Sequence, residues 1–316
     1  MELSIIVLSW NTQELLQNCL ESVFANTKDV DFEVIVVDNG SSDGSVETVR
    51  KFQKSKNKLQ INYKTQISKV KLIENKDNLG FAKGNNQGTR LAKGDYILLL
   101  NSDTIVKKGA LEKLVNYLKE NPEIAAVGPL LLNPDGSRQF RYYLKLPSIW
   151  QLLLYHNILL QPLVTKTFLR NIIINRSSLK NPFETDLLCG AALMTRREIF
   201  KKTKGLDENY PFLFEDADWS YRVQKLSLGK LIVVPQAKVI HIGGASWKKH
   251  LQRDRFEFYQ NHFKSFFIFI KKHRSEKLFF YQLAARFTFL INALVHLFTL
   301  NFAKSLVQFR LVFTDL

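Results

Sequence analysis

The apolar run Tyr96-Ile97-Leu98-Leu99-Leu100 ends in the polar triplet Asn101-Ser102-Asp103, and the acidic box Glu215-Asp216-Ala217-Asp218 follows much later in the chain. These groups suit two different tasks. A carboxylate at the mouth of a buried parallel strand can hold a hard cation, Mg2+ or Mn2+, against a diphosphate, because such cations take carboxylate and phosphate oxygens and need few protein ligands. A second carboxylate, remote in sequence, can take a proton from a nucleophile. A metal-assisted transferase acting on a nucleotide-activated substrate needs that combination. Each group also has a plainer reading. Asp103 suits a cap for a helix opening near Ala110, and acids in the first turn of a helix favour its macrodipole. Phe212 and Phe214, just ahead of the acidic box, offer a wall on which a sugar could stack.

Two further residues stand at strand ends. Asp38 closes the run Phe32-Glu33-Val34-Ile35-Val36-Val37, the place where ligands bind in open α/β sheets. There it can accept a hydrogen bond from the imide N–H of uracil or thymine. The alternative is a turn built on Asp38-Asn39-Gly40. His241 follows Val239-Ile240 and is either a metal ligand or a structural imidazole.

The elements that must position these residues are legible as runs. Residues 3–8 and 32–37 are continuous β-type stretches, each followed by a helical segment, 13–25 and 46–52, with Asn11 or Thr12 as cap of the first. Two strand-helix units in succession imply parallel strands joined by right-handed crossovers and covered on both faces. Further strands are expected at 70–74, 96–100, 125–129 and 230–235. Helices are expected at 80–91, over the nucleotide site, and at 110–121, closed by Pro122. Residues 51–71 read as a loop or hairpin. Residues 137–185, with Arg138, Arg141, Lys145 and an apolar patch at 149–160, read as an insertion or lid facing the acceptor and lipid. Residues 187–195 resume the core.

The 316 residues suffice for one large α/β domain plus an appendage. A net charge of +16 points to an anionic partner. From residue 248 onward, twelve basic residues against four acidic ones leave +8, on a segment rich in Phe and Leu. Basic plus apolar suits a membrane surface better than nucleic acid. RNA readers interleave aromatic and basic residues on a sheet, whereas here the basic residues fall on helical, Phe-rich stretches, so no nucleic acid is expected. Residues 287–303 carry no formal charge between Arg286 and Lys304. They stand at the short limit of a bilayer span, for which roughly 20 residues are usual. A surface-lying hairpin is preferred over a single span. Cys19 and Cys189 form no disulfide framework, and Glu2 precedes the first strand in place of a basic leader. A reducing, cytoplasmic setting is therefore expected.

Taken together, the boxes resemble family-2 glycosyltransferases of the GT-A fold, and among them the rhamnosyltransferase-like branch of bacterial surface-polysaccharide synthesis. The resemblance is carried by Ser4-Ile5-Ile6-Val7-Leu8-Ser9-Trp10-Asn11, Val36-Val37-Asp38-Asn39-Gly40-Ser41-Ser42-Asp43-Gly44-Ser45 and Asn78-Leu79-Gly80-Phe81-Ala82-Lys83-Gly84-Asn85-Asn86. It continues through the Asn101-Ser102-Asp103 triplet, Cys189-Gly190-Ala191-Ala192-Leu193-Met194, Gly205-Leu206-Asp207-Glu208, the acidic box and Val239-Ile240-His241. It implies an α/β fold with a mostly parallel central sheet over residues 1–247 and a basic helical extension over 248–316. It also implies roles for individual residues. Ser9, Asn11, Asp38, Gly80, Asn85, Asn101 and Ser102 would line the nucleotide pocket, and Gly190 and Ala191 would leave room for the donor sugar. Asp103 would hold the metal with His241, and Asp216 matches the catalytic base. Glu215, Asp218 and Trp219 would face the acceptor. The family's metal motif often opens with Asp; Asn101 stands there, so Asp103 alone supplies a carboxylate. The implied activity is inverting transfer from a nucleotide diphospho-sugar, dTDP-rhamnose or a UDP-sugar, to a lipid-linked saccharide at the cytoplasmic face of the plasma membrane. An oligomer is compatible with it. A nucleotidyltransferase would share the strand-end carboxylates. It would, however, carry a Gly-rich basic loop where Ser9-Trp10-Asn11-Thr12 stands.

Overall fold

The computed structural model describes residues 1–54, 70–139, 146–162, 180–244, 251–252 and 254–314. The expected loop at 55–69, Arg141 and Lys145 of the insertion, its stretch 163–179, and Lys248, Lys249 and Arg253 lie outside the described residues. The chain forms two compact units. One comprises Met1–Leu144, Leu179–Glu208 and Glu215–Ser246; the other comprises Lys145–Ser178, Asn209–Phe214 and Trp247–Leu316.

The first unit is built on a sheet. Strand β1 (Leu3–Ser9) leads to helix α1 (Gln13–Asn26), β2 (Phe32–Asp38) to α2 (Ser45–Lys54), and β3 (Val70–Glu74) to α3 (Phe81–Arg90). Then follow β4 (Tyr96–Asn101), β5 (Thr104–Val106), α4 (Ala110–Glu120) and β6 (Ile124–Leu132). After the described part of the insertion come β7 (Phe183–Glu184), β8 (Ala192–Arg196), α6 (Arg197–Lys202), α7 (Glu215–Lys225) and β9 (Lys230–His241); α5 (Ile149–His156) belongs to the second unit. The strand order is β3-β2-β1-β4-β8-β6-β9-β5, with β7 beside β9. Pairing is parallel through β3, β2, β1 and β4, antiparallel on both sides of β8, and parallel again between β6 and β9.

The uninterrupted apolar runs of β1, β2 and β4 follow from burial on both faces. One core cluster gathers Ile5, Val7, Val34, Val36 and Leu98 with α1 and α4; another gathers Ile6, Ile35, Val37, Ile97 and Leu99 with Trp219 of α7. Helix α3 lies close enough to β1 that a Cβ on Gly84 would collide with Leu8, and one on Gly88 with Ile6. That close approach is why its sheet-facing positions are glycine.

At the amino end of the sheet Glu33 is buried. Its carboxylate accepts from Ser4 Oγ at 2.7 Å, the Lys93 N–H at 2.8 Å and Lys71 Nζ at 2.7 Å. Burial pushes its carboxyl up, but the hydrogen bonds from Lys71, Ser4 and Lys93 outweigh it and hold the group below the usual carboxylate range.

The second unit is helical: α5, α8 (Arg255–His273), α9 (Leu278–Phe298) and α10 (Phe302–Val312). Asp254 caps α8 by accepting from the Glu257 N–H at 2.9 Å. Phe263 of α8 meets Phe289 of α9 edge to face at 4.5 Å and His156 of α5 at 5.1 Å. Phe212 and Phe214, expected as a sugar-stacking wall, pack in this unit against Phe258, His262 and Phe266. The uncharged stretch 287–303 is not one helix. α9 ends at Phe298, Leu300 takes φ +56°, and Asn301 caps α10 through the Lys304 N–H.

Candidate active site

Parallel pairing brings the carboxyl ends of β1, β2 and β4 to one edge of the sheet. Asp38 ends β2 there and is 1% exposed. Its Oδ1 accepts the Ser41 N–H at 2.8 Å, while its Oδ2 has no hydrogen-bond partner among the described residues. A buried carboxylate oxygen without a donor is costly unless a ligand supplies one. Asn85, 1% exposed on α3, has the same property: its Nδ2 donates to Phe81 O at 3.0 Å, and its Oδ1 is unpaired among the described residues. The turn ahead of α3 is fixed by Gly80 at φ +84°, whose carbonyl accepts from Asn39 Nδ2 at 3.1 Å.

Asn11 takes φ +53° and joins the loops after β1 and β2. Its N–H donates to Ser41 Oγ at 2.8 Å and its Oδ1 accepts the Ser42 N–H at 2.8 Å. Neither expected cap of α1 caps it. Thr12 holds the cap position but its hydroxyl bonds Ser9 Oγ at 3.0 Å and Ser102 Oγ at 2.8 Å, and the Gln13 N–H goes instead to Asp43 Oδ2 at 2.8 Å. Ser9, Thr12 and Ser102 thus form a buried hydroxyl chain linking the ends of β1 and β4. Asn101 is half-buried, and its N–H is tied to Ala191 O at 3.0 Å.

Asp103 and His241 come together because β5 pairs antiparallel with β9, placing Thr104 opposite His241. Asp103 Oδ1 lies 3.3 Å from His241 Nε2, and both residues are buried. Gln139, which carried no signal in the sequence, orients the ring. Its Nε2 donates to the His241 carbonyl and its Oε1 stands 3.1 Å from Nδ1. The ring is so turned that Nδ1 faces Gln139 and Nε2 faces Asp103. An oxygen and a nitrogen donor side by side suit a divalent cation. Among the described residues no group of three or more His, Cys, Asp and Glu could hold one unaided. The remaining coordination would fall to phosphate oxygens and water.

Asp216 stands in the first turn of α7, half-buried. Its Oδ2 accepts the Gly190 N–H at 3.1 Å and its Oδ1 the Ala217 N–H at 2.8 Å. A Cβ on Gly190 would lie 2.9 Å from Phe81 Cζ, so glycine there lets the backbone reach Asp216 beneath the Phe81 ring. Burial raises the Asp216 carboxyl, with the hydrogen bonds from Gly190 and Ala217 opposing. Glu215 is buried with Oε2 unpaired among the described residues. Burial first, and the Asp216 charge second, push it up to about 8. The neighbours thus divide: Asp216 ionises first and Glu215 keeps its proton at neutral pH.

Cys189 lies within electrostatic reach of both carboxylate groups. Its thiol is pushed well up by burial first and then by the charges of Asp216, Asp103 and Glu215. Ala191, its N–H 3.4 Å from Cys189 Sγ, is buried beside it.

Two residues expected at the acceptor are placed elsewhere. Trp219 is 0% exposed, in the core, with Nε1 donating to Thr203 Oγ1 at 2.8 Å. Asp218 is fully buried against Arg222, with Nε at 2.7 Å from its Oδ2. Helical spacing turns both inward while Asp216 points away from the core. Residues 137–185 likewise divide: Gln139 and β7 join the sheet unit, whereas α5 joins the helical one.

A sheet of this order, flanked by helices and carrying carboxylates at its strand ends, defines a GT-A nucleotide-sugar transferase fold. The chain belongs to glycosyl transferase family 2, whose model matches residues 4–203. It is 30% identical over 141 residues to the glycosyltransferase GlyG of Streptococcus pneumoniae, covering 45% of this chain and 43% of that protein. It is 31% identical over 132 residues to a poly(ribitol-phosphate) beta-glucosyltransferase of Bacillus spizizenii, covering 41% of this chain and 19% of the relative. The chain thus spans less than half the length of either. The mannosyltransferase PcManGT of Pyrobaculum calidifontis, solved with GDP-Man and Mn2+, superposes with a TM-score of 0.56 at 15% identity, over 98% of this chain and 86% of that one.

Proposed function

We propose that this glycosyltransferase is inverting and metal-dependent. It moves a sugar from a nucleotide diphospho-sugar, dTDP-rhamnose or a UDP-sugar, to a hydroxyl of a lipid-linked saccharide in cell-wall or surface-polysaccharide synthesis, at the cytoplasmic face of the plasma membrane. The observation that carries this reading is geometric: Asp103 stands 3.3 Å from His241, Asp216 accepts the Gly190 N–H at 3.1 Å, and the carbonyl of Ala191, next to Gly190, accepts the N–H of Asn101 in the Asp103 triplet. The unpaired acceptors of Asp38 and Asn85 at the same strand ends support a nucleoside with donor groups to offer them. Asp38 Oδ2 suits the imide N–H of uracil or thymine. Asp103 and His241 would hold a divalent cation, Mg2+ or Mn2+, which when bound neutralises charge on the departing diphosphate.

Asp216 acts as general base. It takes the proton of the acceptor hydroxyl as that oxygen bonds to the anomeric carbon and the bond to the diphosphate oxygen breaks on the opposite face. One displacement inverts the anomeric centre. The fixed N–H donors of Gly190 and Ala217 hold the carboxylate in one orientation, while its burial raises its basicity. The poly(ribitol-phosphate) glucosyltransferase among the relatives supports an acceptor of the surface-polymer kind. Rhamnose is supported by the likeness of the sequence boxes.

The test is donor turnover. Purified chain is incubated with Mn2+ or Mg2+, a panel of UDP-, dTDP- and GDP-sugars and a lipid-linked saccharide, with Asp216→Asn as control. Transfer from one donor, abolished in the variant, is expected. Binding of no donor at all would overturn the reading.

A further inference from the structure

We propose that the hairpin of α9 and α10 is a monotopic docking face that lies flat on an anionic lipid bilayer without crossing it. The proposal gives the membrane setting a particular surface and orientation, and it stands whether or not the donor assignment does. On α9, Phe280, Leu283, Phe287, Leu290, Leu294 and Leu297 recur every three or four residues and are all exposed. On α10, Phe302, Leu306 and Phe309 continue the apolar surface. Large apolar side chains left in water in such a row mark a contact surface.

Two occupants compete, and charge separates them. From Ser275 to Leu316 the chain holds Lys277, Arg286, Lys304 and Arg310 against Glu276 and Asp315 near its two ends, while the apolar rows themselves, 278–313, carry no acid. A second copy laid face to face would set Arg286, Lys304 and Arg310 against each other with no acid inside the apolar rows to pair them. The three-four spacing also lacks the flanking opposite charges that select coiled-coil partners; Phe279 and Phe298 widen the apolar face instead. An anionic headgroup layer over apolar chains matches both features.

The bonds on the other side of α9 favour lying over crossing. Among the described residues, Ser275–Phe298 is the one helix long and apolar enough to span. Its opposite face, however, is bound within the second unit. Asn292 donates to His156 O at 2.7 Å and accepts the Ile158 N–H at 2.8 Å, and Phe289 packs edge to face on Phe263. Crossing would break these bonds or draw α5 and α8 into lipid, with exposed Lys264, Lys271 and Lys272 on α8. Lying flat keeps every one of them.

The test uses the full chain and vesicles of phosphatidylcholine, alone or with phosphatidylglycerol. Flotation with the anionic vesicles is expected, weakened by added salt; it should be at least tenfold weaker for Phe287→Glu/Leu290→Glu/Leu294→Glu, and weaker with no further loss on adding salt for Lys277→Glu/Arg286→Glu. These positions are exposed, so thermal melting should be unchanged. Phe280→Trp, Phe287→Trp and Leu294→Trp, read by brominated-lipid quenching against the unsubstituted chain, should report one shallow depth. A profile deepest at position 287 would overturn the flat orientation. Failure to float, with concentration-dependent dimers in sedimentation, would assign the face to a second copy; failure to float as a monomer would equally overturn the proposal.

Discussion

Glu33 and Glu215 are both buried glutamates in one unit, yet their environments oppose each other. Glu33, at the amino end of the sheet, takes hydrogen bonds from a hydroxyl, a backbone N–H and a lysine and is held low. Glu215, beside Asp216, has an oxygen with no partner among the described residues and is pushed up to about 8. Burial raises both; what differs is whether the surroundings answer the charge. The charge of Glu33 at the amino end is therefore answered by the chain's own residues, although Thr27 Oγ1, ahead of β2, has no partner among the described residues. At the carboxyl end Asp38, Asn85 and Glu215 each keep an oxygen without a partner among the described residues. That contrast is the one on which the proposed placement of the site at the carboxyl end rests.

The comparison can be broken from either end. Asp216→Asn is expected to cost roughly 10²–10⁴-fold in turnover, with donor affinity kept, because a general base contributes about that much; titration of donor binding beside turnover separates the two. The pH profile sharpens the point. With the Asp216 carboxyl raised, turnover of the unsubstituted chain should climb with pH through a limb above the ordinary carboxylate range, and that limb should vanish in the variant. Next comes Gln139→Ala. Loss of a partner orienting a ligand histidine typically costs ~10–100-fold in metal affinity, measurable as the Mn2+ concentration giving half-maximal donor binding, and an unchanged value would make Gln139 incidental.

At the other end, Glu33→Gln should lower stability by about 2–4 kcal/mol at neutral pH, since it strips the charge from a buried, multiply bonded group. Its folded pKa is depressed, so the stabilisation is present above the unfolded carboxylate value and fades as pH falls through the lowered folded one. Chemical denaturation at pH 7 and pH 3 should show the variant's deficit shrinking in acid. The last effect has the opposite sign. Glu215 binds its proton more tightly folded than unfolded, so it weakens the fold increasingly from the ordinary value of 4.5 up to about 8. Glu215→Gln should raise the melting temperature by a few degrees at pH 8.5 and hardly at all at pH 4. A variant that melts lower at pH 8.5 would show that the Glu215 charge is answered after all.

Much of this is legible in the sequence. Strands β1 to β4 and helices α1 to α4 fall within a few residues of the runs that predict them, because apolar periodicity and glycine or proline breaks are local properties. The positions of Asp38, Asp103 and the acidic box at element ends were equally plain. The direction of the acidic box was not. Four neighbouring positions held three acids and the following Trp219, and only the packing of α7 shows Asp218 and Trp219 turned to the core while Asp216 meets Gly190. Thr12 holds the cap position of α1 as expected, but its hydroxyl is drawn to Ser9 and Ser102, and Asp43 from another loop takes the Gln13 N–H.

The sequence by itself thus determined the strand-helix order, the stations of the carboxylates and the family. Tertiary structure alone decided which of those stations meet. Asp103 reaches His241 through the β5–β9 register, Gln139 reaches His241 from a segment with no local pattern, and Phe81 over Gly190 sets the backbone that holds Asp216. The physical reason is range. A periodic pattern reports how a segment turns its own faces, whereas a partner brought from far along the chain is chosen by sheet pairing and packing, which leave no mark on the residues between.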